Sequence, residues 1–148
     1  QKGSAARGKQ VFLDEKRGLC IKFHRVGDEG GRIAPELTGV ANLFSRIHLI
    51  EAVLEPSRTI ANGYDSLVAE LVDGRVVTGV RVNEDGSTLT LADNQGKLHA
   101  LSKSHVDALL KIPESTMPEG IEKRLTQREF VDLITFLLAQ TTKHDAAE

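Results

Sequence analysis

The stretch Leu67-Val-Ala-Glu-Leu-Val-Asp-Gly-Arg-Val-Val-Thr-Gly-Val-Arg-Val82 decides how the rest of the chain is read. Leu67, Ala69 and Leu71 recur with the period of two that belongs to strands, and Asp73-Gly74 is a tight hairpin signal before a second run from Val76 to Val82. Two further turn clusters, Asn83-Glu-Asp-Gly86 and Asp93-Asn-Gln-Gly96, flank the short apolar runs Thr88–Leu91 and Leu98–Leu101. The pattern predicts a four-strand antiparallel β meander inside a β-rich region over 64–106.

On both sides of that region the period changes to that of helices. Ser4 suits the N-cap of a short helix through Gly8, Val11 and Phe12, and the spacing puts Gly8 and Phe12 on one face. Ser45 opens another helix, with apolar surface from Ile47, Ile50, Ala52 and Leu54, and Pro56 stops it. Between them Arg25-Val-Gly-Asp-Glu-Gly-Gly31 carries too much glycine for a helix and reads as a loop. At the far end Thr126-Gln-Arg-Glu129 has capping-box form, followed by Phe130, Leu133, Ile134 and Leu137 at i, i+3, i+4 and i+7. The expectation is one domain over 1–148 with a β-rich insertion at 64–106.

Composition narrows the function classes. Hydrophobic residues are 40% and charged residues 27% of 148, and the formal net charge is −2, which fits an ordinary soluble globule and argues against disorder and against a nucleic-acid field. No apolar run approaches the roughly 20 residues of a membrane span, and residues 1 to 18 are too polar for a signal sequence. A start at Gln1 without Met suits removal of an export signal and equally a piece cut from a longer protein; an exported, periplasmic or extracytoplasmic location is the expectation, and the terminus alone does not settle it. The chain has a single Cys, a single Met and no Trp, which draws attention to what surrounds Cys20 and Met117.

Cys20 and His24 are four apart, so one helical turn turns thiol and imidazole to the same side. In c-type haem attachment the motif is Cys-x-x-Cys-His: each cysteine adds to a haem vinyl group and the histidine supplies an axial nitrogen. Here Phe23 stands where the second cysteine belongs, leaving one thioether chemically available. Met117, bracketed by Pro113 and Pro118, presents a thioether on a loop rather than in a helical core. A zinc site would need two more ligands that no second Cys or paired His supplies.

Phe12, the Cys20–His24 segment, Pro35-Glu-Leu37, Ser115-Thr-Met117-Pro118 and the closing helix fall in an order that resembles a class I cytochrome c. The chain is more specifically similar to the haem-binding domain of planctomycete and verrucomicrobial exported proteins. That similarity runs through His24-Arg-Val-Gly, Glu29-Gly-Gly31, Pro35-Glu-Leu-Thr-Gly39, Glu55-Pro-Ser57, Ile60-Ala-Asn-Gly-Tyr64, Asp73-Gly-Arg-Val-Val-Thr-Gly79 and Met117-Pro-Glu-Gly120. The resemblance implies a mainly α cytochrome c fold with the four-strand meander inserted, and N- and C-terminal helices crossing at Gly8, Phe12 and Phe136. It implies a haem site made by Cys20, Phe23, His24, Pro35, Leu37 and Met117, with His24 and Met117 on iron and the Pro35 carbonyl fixing the His24 ring. The chain departs from the family's pattern at Phe23 and at Ala34, where a glycine usually precedes the proline.

The function implied is electron transfer and not enzyme chemistry: haem c held through Cys20, with haem b as the non-covalent variant, exchanging electrons with a partner protein, a dehydrogenase being one class. Two alternatives stand beside it. One is a haem-free or loosely haem-binding interaction module that docks to a partner enzyme or forms a homodimer through the β insertion; the other is a gas sensor in which a ligand displaces Met117.

Overall fold

In a computed structural model, residues 2–17 and 20–142 are described. Two compact units divide the chain: Gln1–Leu54 joined by Gly120–Glu148, and Glu55–Glu119.

The first unit is built on helices α1 (Ala5–Leu13) and α5 (Gln127–Leu138). Ser4 caps α1 by accepting from the Arg7 N–H, and Thr126 and Glu129 form a full capping box on α5. The two helices pack where Gly8 removes a side chain: a Cβ there would lie 1.9 Å from the Asp132 carbonyl oxygen. One turn on, the Phe12 and Phe136 rings meet at 5.3 Å, tilted by 47°, a geometry worth about 0.5–1.5 kcal/mol beyond area burial. Asp132 would be a costly buried charge but is fully bonded. It accepts from the Ser4 N–H at 2.7 Å and from Arg7 Nε and Nη2 at 2.7 and 3.0 Å, and the Arg7 hydrogen bond holds its pKa below the usual carboxylate range. Around this pair lie the one-turn helix α2 (Cys20–Phe23), the hairpin β1–β2 (Arg25–Val26, Glu29–Gly30), and helices α3 (Val40–Leu43) and α4 (Arg46–Leu54). Helix α4 buries Leu49 and Val53 and leaves Ile47 and Leu54 exposed, so its core face differs from the one expected from Ile47, Ile50, Ala52 and Leu54.

The second unit is an antiparallel sheet of β3 (Ser66–Leu71), β4 (Val76–Glu84), β5 (Thr88–Ala92), β6 (Leu98–Ser102) and β7 (Val106–Ile112), in the order β6-β5-β4-β3-β7. Its core alternates as the sequence does, with Ala69, Leu71, Leu89, Leu91 and Leu101 buried together. Strand β4 serves two halves, pairing with β3 through Val76–Val80 and with β5 through Val80–Glu84, and an irregularity between Arg81 and Asn83 marks the change. The sheet cannot be flat. Its edge strands β6 and β7 would stand about 19 Å apart at ordinary strand spacing, yet Ser102 and Val106 are joined by three residues, a reach of at most about 14 Å. A 3-10 turn, Lys103–His105, makes that join. It is fastened at both ends, by Lys103 N–H to Ser87 O at 2.8 Å and Val72 N–H to His105 O at 2.9 Å. The sheet therefore curls into a partly open barrel.

This corrects the expected mainly α cytochrome c fold with a four-strand meander. The architecture is mixed: five helices, a two-strand sheet and a five-strand antiparallel sheet among the described residues. The missed strand β7 reads Val-Asp-Ala-Leu-Leu-Lys-Ile, where adjacent leucines break the period of two and Ala, Leu and Lys suit helices as well. The hairpin β1–β2 was expected as loop because its glycines, which exclude helix, also serve a tight turn. No helix among the described residues is long and apolar enough to cross a membrane.

Candidate cofactor site

Helix α2 is a single turn, closed by the His24 N–H donating to the Cys20 carbonyl at 2.8 Å. That bond places Cys20 and His24 on adjacent levels of one helical face. The chain then turns through β1–β2 and returns across α2. Gly31 N–H donates to Ile21 O at 2.9 Å, Ala34 N–H to Phe23 O at 2.9 Å, and Leu37 N–H to Arg25 O at 2.9 Å. Two glycines allow so close a return: a Cβ on Gly30, at φ +112, would lie 2.1 Å from the His24 carbonyl oxygen, and one on Gly31 would lie 2.0 Å from that of Lys22.

The return strap delivers Pro35 to His24. The His24 Nδ1 sits 2.8 Å from the Pro35 carbonyl oxygen. A carbonyl only accepts, so Nδ1 carries the proton and Nε2 holds the lone pair. Burial lowers the His24 pKa from its ordinary value, partly offset by the Pro35 hydrogen bond. The ring is therefore neutral at pH 7, the form that ligates a metal. Outer-shell carbonyls of this kind fix the orientation of a ligating imidazole.

Burial pushes the Cys20 thiol up to about 11. At neutral pH the sulfur is protonated and is neither a nucleophilic thiolate nor a ready thiolate ligand. Phe23 is buried, 8% exposed, as part of the core of its unit. Leu37 is half-buried on the strap. The same unit exposes Leu43, Phe44 and Ile47 at 77, 48 and 60%, three large apolar side chains within five residues; sequence reading missed this concentration, whose signal was the adjacent Leu43-Phe44 pair. A small cavity beside α1, α2 and α5, lined by Phe12, Ile21, Val26 and Phe136 among others, does not include Cys20 or His24.

The structure thus brings Cys20, Phe23, His24, Pro35 and Leu37 into one unit. Met117 lies in the other, half-buried, on a loop tied to the sheet: Ser115 N–H donates to Ser57 Oγ at 2.9 Å, Met117 N–H to Ser115 Oγ at 3.1 Å, and the Thr116 and buried Ser66 hydroxyls share a 2.6 Å hydrogen bond. The residues of the first unit fit a haem in part. A neutral imidazole with Nδ1 held and Nε2 available, one turn after a thiol, is the donor set for one axial bond and one thioether, and Phe23 supplies no second sulfur. No protein family and no curated protein matches this sequence.

Proposed function

We propose that this chain is a haem-binding electron-transfer domain, an electron carrier rather than an enzyme, with His24 as axial ligand and Cys20 as its single covalent anchor. The observation that carries this reading is the His24 ring, held through Nδ1 by the Pro35 carbonyl and kept neutral by burial. Bound haem supplies reversible one-electron chemistry at iron. The protein's own residues do the rest. Pro35 sets the tautomer and orientation of His24, the glycine-lined strap holds Pro35 in place, and Phe23 packs where a second link would form. By the sequence resemblance alone, Met117 would be a further residue holding the iron, where a neutral thioether would favour the ferrous state. The same resemblance suggests an exported setting and a redox partner protein, with dehydrogenases as one class.

A reduced absorption spectrum of protein made in an oxidising compartment with haem maturation tests this reading. One haem per chain is expected, with an α band between those of b-type and doubly linked c-type haem. A colourless protein under those conditions would overturn it.

A further inference from the structure

The Pro35 carbonyl reaches His24 across eleven residues of sequence, and proline has no N–H with which to anchor itself. Its place is set by backbone bonds on either side, Ala34 N–H to Phe23 O and Leu37 N–H to Arg25 O, both 2.9 Å. The first ends on helix α2. The second ends on the hairpin β1–β2, which has only the residue pairs Arg25 with Gly30 and Val26 with Glu29. A two-stranded hairpin standing alone is marginally stable in water, so the acceptor of the Leu37 bond needs support from outside the hairpin.

Thr38, Glu36 and Arg25 supply it as a polar clasp. The Gly27 N–H at the hairpin tip donates to Thr38 Oγ1 at 2.7 Å. A hydroxyl has one proton and two lone pairs, so Thr38 can accept from Gly27 and still donate, which it does to the Glu36 carboxylate. The Thr38 N–H donates to the same carboxylate oxygen at 3.3 Å. Arg25 closes the clasp from the hairpin side: its Nε donates to the Gly27 carbonyl at 2.8 Å and lies 3.8 Å from the other Glu36 oxygen. Arg25 follows His24 in sequence and Glu36 follows Pro35, so the clasp joins the two residues next to the imidazole–carbonyl pair. Its members do not weigh equally. The Arg25–Glu36 contact is an ion pair beyond hydrogen-bond distance with Glu36 half exposed, and Arg25 meets a fully exposed Asp28 carboxylate at 3.4 Å; such pairs contribute little. The Thr38 hydroxyl makes two hydrogen bonds at once, one to the hairpin and one to the strap, and its loss opens the clasp.

We infer that Thr38 is a positioning residue for His24: its hydroxyl fastens the hairpin tip to the strap and so keeps the Pro35 carbonyl on Nδ1. The clasp is a property of the chain itself, and only its effect on iron rests on the functional reading above. Nitrogen NMR of the neutral His24 ring in the haem-free full chain tests it by giving the ratio of Nδ1–H to Nε2–H tautomer, with circular dichroism confirming the fold of each variant. The parent should hold Nδ1–H. Thr38→Val, which keeps the shape and loses the hydroxyl, should lower the ratio about fivefold, the net effect of one hydrogen bond; Thr38→Ser should retain it. Ser87→Ala, which removes another exposed hydroxyl contact, that to Asp85 in the sheet, should leave the ratio unchanged. In haem-loaded protein Thr38→Val should raise the reduction potential, because the Pro35 acceptor makes the imidazole a stronger donor. A ratio indifferent to Thr38→Val, a ratio lost equally in Thr38→Ser, or a potential unmoved by Thr38→Val would each overturn the inference. A parent that takes up no haem but shows the Thr38-dependent ratio would count against haem binding and support the clasp.

Discussion

Replacing His24 by alanine is expected to abolish stoichiometric haem binding. The imidazole is the one donor whose tautomer, orientation and charge state are all set in advance: the Pro35 carbonyl fixes Nδ1 at 2.8 Å, and burial keeps the ring neutral. Loss of an outer-shell partner alone costs metal sites about 10–100-fold in affinity, so loss of the ligand itself should cost more. Haem content per chain, measured after identical expression, should fall at least tenfold. His24→Gly should recover haem when imidazole is supplied during reconstitution, because free imidazole can occupy the ring's place. Full haem content in His24→Ala with an unchanged spectrum would show that His24 is not the ligand.

The second large effect falls on stability. Gly8→Ala should destabilise the helical unit by about 2 kcal/mol or more, although alanine is the better helix former by about 1 kcal/mol. The added Cβ would meet the Asp132 carbonyl oxygen at 1.9 Å, the carbonyl carbon at 2.5 Å and the Phe136 Cβ at 2.7 Å. Backbone atoms cannot step aside as a flexible side chain can. Asp132 is also pinned by Ser4 and Arg7, so α5 cannot slide without loosening that clamp. A fall of about 4–8 °C in Tm is expected for this loss. Gly86→Ala is the control, since nothing lies within 4 Å of its Cβ position; it should be near neutral. Equal melting of both variants and the parent would remove the close crossing as a source of stability.

Much of this arrangement was legible before any coordinates. The capping box at Thr126 and Glu129 and the cap at Ser4 are short-range signals, and both helices begin where those signals lie. Four strands, β3 to β6, follow their turn clusters because Asp73-Gly74, Gly86 and Gly96 punctuate a period of two. The fifth strand was hidden by its own composition, since Leu109-Leu110 offers no alternation and its place beside β3 is set by long-range pairing. The missing strand also hid the barrel, whose curl follows from the short turn between β6 and β7. Helix α4 shows the same limit: its apolar residues surround the helix, and packing alone selects Leu49 and Val53 for burial.

At the site, the pairing of Cys20 with His24 and the proximity of Pro35 were expected from spacing and resemblance, and the coordinates bring these residues together. What spacing could not convey is how Pro35 gets there. The strap passes so close to α2 that Gly30 and Gly31 are steric requirements of the approach. Nor does sequence reveal the charge states at the site, which follow from burial that only the folded chain defines.

The most direct measurement is the intact mass of the haem-loaded protein before and after acidic organic extraction, for the parent and for Cys20→Ala. Thioether formation adds S–H across a vinyl double bond with no atom lost, so a linked chain is heavier by one whole haem. The expected result is a parent whose added mass survives extraction and a Cys20→Ala protein that releases its haem completely. A parent that never carries haem, or carries it with mass and retention unchanged by Cys20→Ala, would contradict the assignment of Cys20 and His24 as the cofactor site.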